Sequence, residues 1–171
     1  PAEDVFKQVG EDIDNALTLM PTSVADRNLA SLGAINMLKA DYSLWMYKVR
    51  NAGEVALDNA NTAVQAVLNN SNYSLEEDQR TIVSFETYFD EPKNATFQWI
   101  NKFAGTWTNG TRIFDSDIIV YRYADAILFD AEIKLAKNDL PGAIASLNKI
   151  AERAYSKKNF YPSSMAANDL N

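Results

Sequence analysis

Two absences limit the chemistry open to this chain. It contains no histidine and no cysteine, which removes the commonest general base, the commonest transition-metal ligand, the thiolate nucleophile and the ordinary catalytic triads. An enzyme here would run on carboxylates, Lys, Ser or Tyr. The pairs Glu76-Glu77 and Asp115-Asp117 are the candidates for acid and base, as in glycoside hydrolysis, which uses two carboxyls about 5 to 10 Å apart. Their settings argue against it. Glu76 and Glu77 lie in the turn sequence SNYSLEEDQ, and Asp115 and Asp117 stand where a helix needs a cap. No catalytic residue is assigned, no cofactor is implied, and no Asp-x-Asp-x-Asp-Gly cage points to a metal.

The second chemistry is binding. Tyr88, Phe97, Trp99, Phe103 and Trp107 are interspersed with Asn94, Asn101, Asn109 and Arg112. Sugar rings lay C–H faces on Trp and Tyr while Asn, Asp and Arg satisfy their hydroxyls, and aromatic side chains lose little rotamer entropy in doing so. The candidate ligand contacts are Tyr88, Trp99, Trp107, Asn109 and Arg112. Phe97 and Phe103 read instead as anchors of this stretch on a helical core, and Trp45 as core.

With 171 residues, 47% of them apolar and 23% charged, the chain suits one globular domain. A net charge of −7 repels phosphates, so nucleic acid is excluded as a partner. No window approaches the roughly 18 to 20 apolar residues of a membrane-spanning helix. The opening PAEDVF has neither an initiator Met nor a signal-peptide pattern, which suggests an excised or processed piece.

The elements that must position these side chains are helical. Phe6, Val9, Ile13, Leu17 and Met20 repeat at three or four residues, and Pro21 stops that helix. Thr22, Ser23 or Asp26 then caps a helix reaching Arg50, apolar on two edges, and Gly53 suits a left-handed stop. Leu57, Ala60, Val64, Val67 and Leu68 carry the return helix, giving a hairpin over 26–69. Residues 81–89, TIVSFETYF, read as a brief strand or irregular segment. Residues 76–116 as a whole read as irregular loop, with a turn of helix near Trp99.

The run VYRYADAILFDAEIKLA (120–136) places Val120, Ala124, Ile127, Leu128, Ala131 and Leu135 on a helical stripe, with Arg122, Asp125 and Glu132 off it. Those charges mark the wet side and the ends of a packed helix, capped by Asp115 or Ser116. Asn138-Asp139-Leu140-Pro141-Gly142 starts the next helix, periodic through Leu140, Ala143, Ile144, Leu147, Ile150, Ala151 and Ala154. Residues 117–154 therefore form a second hairpin. The predicted fold is all-α within a single domain over 1–171: stacked helical hairpins in a tetratricopeptide-like α/α superhelix, with an aromatic- and Asn-rich loop between them.

The wording of 117–155 is more specific than its spacing. Arg122-Tyr123-Ala124-Asp125, Ala131-Glu132, Ala143, Leu147-Asn148 and Arg153-Ala154 resemble the late segment of the SusD/RagB family. The hairpin from Arg27 with its exit Asn72-Tyr73-Ser74-Leu75, and Asn101-Lys102-Phe103, resemble earlier pieces of that family in the same order. Members are typically much longer and begin at a lipidated cysteine, so this chain reads as a fragment or shortened member. The resemblance implies a non-catalytic, cell-surface lipoprotein of the outer membrane, touching the membrane only through its lipid anchor. Such a protein captures oligosaccharides, or peptides in RagB-like members, and delivers them to a SusC-like TonB-dependent channel. The alternative is a helical-repeat scaffold that binds a peptide or a protein on a concave surface.

Overall fold

Alanine sets how closely these helices approach, because its side chain favours the helix and keeps neighbouring axes near. The computed structural model describes residues 2–22, 30–75, 85–100, 105–114 and 120–170, with the side chains of 85, 86, 99 and 100 excepted. Five α-helices occur among them: α1 (Ala2–Leu19), α2 (Leu32–Arg50), α3 (Glu54–Leu68), α4 (Tyr123–Ala136) and α5 (Leu140–Tyr155). Helix α2 packs on α3 and α4 on α5 as two hairpins, α3 joins them through α4, and α1 lies on α2. The fold is mostly helical, with the pairwise packing of a tetratricopeptide-like stack.

The helices form one compact unit of the chain and the strands a second, and the core of the helical unit is a seam of small residues closed by branched ones. Ala40 and Leu44 of α2 meet Leu57, Ala60 and Val64 of α3 and Ile133 of α4. A second cluster unites Met37, Val67 and Ala126. Gly33 is buried on α2 because a Cβ there would meet the ring of Tyr73, so the chain's exit from α3 packs onto the start of α2. Ala131 and Ala143 are both buried where α4 faces α5, as their spacing predicts.

Several local expectations are corrected. The cap of α2 is Ser31, whose Oγ accepts from the Ala34 N–H at 3.2 Å, while Ser23 and Asp26 lie outside the described residues. Asn51, not Gly53, takes the left-handed stop after α2, its N–H reaching the Met46 carbonyl. Gly53 has a positive φ of 74° but opens α3. Helix α4 starts at Tyr123 rather than 117, leaving Val120 outside it and 78% exposed. Asp115 and Ser116 lie outside the described residues, and the Asp125 carboxylate caps α4 instead, accepting the Arg122 N–H at 2.7 Å. Trp45, expected in the core, is partly exposed against Phe6 of α1. Asp139 does cap α5, accepting from the Gly142 N–H.

The charges of the run 120–136 divide in the same way. Arg122 and Asp125 mark a helix end, and Glu132 pairs with Lys48 of α2. Asp130 is neither at an end nor on the wet side, being only 3% exposed. It accepts from Gln65 of α3 at 2.9 Å, Lys134 of α4 at 2.7 Å and Ser146 of α5 at 2.5 Å. A buried carboxylate is tolerated because every neighbour donates to it, and here the donors come from three helices.

The stretch read as loop contains strands. In this second unit β1 (Phe85–Asp90) pairs antiparallel with β2 (Ala95–Ile100), and β3 (Thr106–Thr108) with β4 (Thr111–Ile113), as two separate two-stranded sheets. Trp99 lies in β2, not in a helical turn, and the 3₁₀ turn of this region is Glu91–Lys93. Phe97 is exposed rather than an anchor, and Phe103 lies outside the described residues.

Candidate functional site

The β3–β4 hairpin is made by a two-residue turn. Asn109 and Gly110 have φ of 50° and 78°, the pair of positive values that lets a tight turn follow the twist of its strands. The register sets Trp107 directly opposite Arg112, and directly opposed residues share a sheet face. Two residues beyond Arg112 on the same strand path, Phe114 receives the guanidinium over its ring at 5.2 Å from the centroid. Trp107 is 70% and Phe114 76% exposed, with Arg112 half-buried. Gly105 has φ +69° and lies so close to the backbone of Ile113 and Phe114 that a Cβ would strike the Ile113 carbonyl. The result is an indole, a guanidinium and a phenyl ring in a row on one narrow hairpin.

The β1–β2 hairpin carries a different set. Tyr88 is opposite Phe97, both exposed, and Lys93 Nζ lies 5.7 Å from the Phe97 ring. Lys93 is also paired with Asp90 at 2.8 Å, so its charge is matched within the turn. On the other face Gln98 donates to Thr87 at 3.2 Å.

Of the five residues chosen from sequence, Trp107, Asn109 and Arg112 therefore share one hairpin. Tyr88 and Trp99 are on the other sheet, Trp99 in register with Glu86 and its side chain outside what is described. Phe114 was missed, although Arg-x-Phe is the spacing that puts two strand residues on one face. The signal for the hairpin was also present, since Asn-Gly between Thr-rich runs is a strong short-range turn pattern. The carboxylate pairs Glu76-Glu77 and Asp115-Asp117 lie outside the described residues.

Elsewhere the perturbed groups serve the helices. Tyr121 donates to Asp41 at 2.7 Å, and burial, reinforced by that hydrogen bond and the Asp41 charge, pushes its phenol up to about 12. Burial alone would raise the Asp125 carboxyl, but hydrogen bonds from the Arg122 side chain and backbone and the charges of Arg122 and Arg153 outweigh it and hold it low. Among the described residues no group of three or more His, Cys, Asp or Glu could hold a metal ion, and no helix is long and apolar enough to cross a membrane.

Comparison with known families decides what these features belong to. The SusD family model matches residues 41–164, from within α2 through the second hairpin and beyond. The chain belongs to the SusD family. No curated protein and no solved structure matches it. SusD proteins are non-catalytic binding proteins, and membership implies glycan binding at the cell surface of the outer membrane in company with a SusC-like partner. The matched span includes the capping Arg122-Tyr123-Ala124-Asp125, the Asp130 hub and both strand hairpins.

Proposed function

We propose that this SusD-family chain binds an extracellular oligosaccharide on the β3–β4 face and delivers it to a SusC-like TonB-dependent channel. It would work as a lipid-anchored protein at the outer surface of the outer membrane. The observation that carries the binding step is the pairing of exposed Trp107 with Arg112 and Phe114 on one hairpin. Two rings offer apolar faces to C–H surfaces, the guanidinium and Asn109 offer hydrogen bonds, and the Asn-Gly turn fixes their spacing. Membership in the SusD family supports the delivery step.

The test is a titration of a broad neutral and acidic glycan panel, read by tryptophan emission and by calorimetry. At least one oligosaccharide binds, and Trp107→Ala weakens it about tenfold, the upper range for a single aromatic contact. A panel that leaves the protein silent, or an affinity indifferent to Trp107→Ala, removes the reading.

A protein-interaction scaffold has one observation in its favour. Val5 and Val9 on α1 and Val49 on α2 are exposed apolar residues on the helical unit, beside the Phe6–Trp45 contact. On that reading a peptide binds with Trp45 responding and Trp107 unaffected.

A further inference from the structure

We propose that the β3–β4 face selects a carboxylated sugar, a uronic-acid unit within an oligosaccharide, and that Arg112 is the residue that reads its carboxylate. This rests on the oligosaccharide reading and names the substrate class of the same hairpin.

From residue 105 to 114 the sequence is GTWTNGTRIF, and Arg112 is its only charged residue. A neutral sugar needs rings and scattered hydroxyl partners, which Trp107, Asn109 and the threonines already supply. A guanidinium adds something more selective. It is planar, permanently charged and weakly hydrated, and it meets a carboxylate through two parallel N–H···O bonds. Packing over Phe114 at 5.2 Å holds that plane against an aromatic surface, where cation–π contact and partial burial restrict its rotamers. Five N–H donors are available on a guanidinium, so a partner within the protein leaves others for a ligand. A pyranose lying on the exposed Trp107 indole brings a ring carboxylate toward the residue directly across the strand, which is Arg112.

The other cation–aromatic contacts do not make this arrangement. One other guanidinium lies over a ring, Arg50 over Phe6 at 5.4 Å beside Trp45, but it belongs to the helical unit and has Glu3 against it. Lys93 lies over Phe97 and Lys157 over Phe160, itself stacked on Tyr155, but an ammonium is a point charge without the planar fork of a guanidinium. In a chain of net charge −7, long-range attraction of an anion is absent, so recognition falls to contact at a single well-placed cation.

The experiment uses matched probes on the whole chain: oligogalacturonate, alginate oligomers and glucuronate-bearing xylan fragments, each against its methyl ester, which keeps the ring and hydroxyls and removes the charge. At least one acid binds roughly tenfold or more tighter than its ester, as expected for a charged hydrogen-bonded pair. Arg112→Gln brings acid and ester to the same affinity by weakening the acid far more than the ester, and Arg112→Lys restores only part of the preference. Circular dichroism and the Trp107 emission of both variants verify that the hairpin persists. No acid preferred over its ester, a preference that survives Arg112→Gln, or a sulfated oligosaccharide preferred over every carboxylated one overturns the assignment. Neutral glycans that bind through Trp107 without acid preference overturn it and leave the oligosaccharide reading standing. A panel that is silent throughout overturns both.

Discussion

The two units of this chain differ in where their side chains find partners. In the helices, Leu57, Val64 and Ile133 are completely enclosed, and Asp130 has three donors from three elements. In the strands, no described side chain is buried. A two-stranded sheet is too narrow to enclose either of its faces, so Trp107, Phe114, Tyr88 and Phe97 remain open to solvent. The difference teaches where selection for shape ends and selection for contact begins. Helices held by alanine seams and a buried polar hub tolerate little change, whereas an open hairpin carries large aromatics that contribute little to its own stability. That is the division expected if, as proposed, the helices carry the fold and the hairpin carries the contacts.

The sharpest way to break this contrast is at the hub. Asp130→Ala leaves the Lys134 ammonium, the Ser146 hydroxyl and the Gln65 amide without their common acceptor. Removing one partner of a buried ion pair costs about 3 to 5 kcal/mol, and the lower end applies because the Lys134 side chain keeps 32% of its exposure and can rehydrate. Urea denaturation followed by helical circular dichroism should therefore show a loss of about 3 kcal/mol. Trp107→Ala, a much larger truncation by volume, should stay within about 0.5 kcal/mol of the parent, as surface substitutions do. Equal losses for the two variants would erase the distinction between frame and surface.

The same distinction explains what could be read from the sequence. The helices were legible because each buries a stripe that recurs every three or four residues, as Leu57, Ala60, Val64 and Val67 show, and because Pro21 and Asp139 punctuate them. Asp130 was not legible: a carboxylate beside an apolar stripe has the same spacing whether it faces water or three donors, and Gln65 and Ser146 are 65 and 16 residues away. The start of α4 was misplaced because the apolar period runs through Val120, while the Asp125 carboxylate, folding back on Arg122, fixes the real boundary. The hairpins were hidden for another reason. Their strands of three and six residues are too short for alternation to stand out, and their exposed aromatics obscure an inside and an outside. Only Asn109-Gly110 carried the turn in plain form. Three of the five candidate contacts fall on that hairpin because aromatics, Asn and Arg suit a sugar by their chemistry, whatever turn joins them.

A middle-sized effect tests whether the hairpin is held by backbone geometry. At Gly105 the backbone has φ +69° and a Cβ would strike the Ile113 carbonyl, so Gly105→Ala adds both left-handed strain and a clash. The local cost is about 2 kcal/mol, comparable with all the stability a small hairpin has. Amide exchange at residues 106–113 should accelerate and Trp107 emission should change, with the helical denaturation midpoint unmoved. Retained protection in the variant would mean that the hairpin owes its form to something other than this close approach.

The smallest effect belongs to the helical unit and is read by pH. Tyr121 keeps its proton to about 12 because burial, the hydrogen bond to Asp41 and the Asp41 charge all disfavour the phenolate, whereas in the unfolded chain a phenol ionises near 10. Between those values the folded state holds more protons, so stability falls as pH rises. The contribution is complete below about pH 10 and is lost as the pH climbs through about 12. Tyr121→Phe removes it, at a cost near neutrality of about 1 kcal/mol or less because water reaches the bond. Tyrosinate absorbance is the direct measurement, with Tyr42→Phe as control, since burial and the Asp14 charge also push the Tyr42 phenol up. The parent should show a phenol ionising at about 12 that Tyr121→Phe lacks and Tyr42→Phe retains. An unchanged titration in Tyr121→Phe would mean that the Asp41 bridge contributes nothing to holding the lead-in of α4 against α2, and that the helical frame is secured by its alanine seams and the Asp130 hub alone.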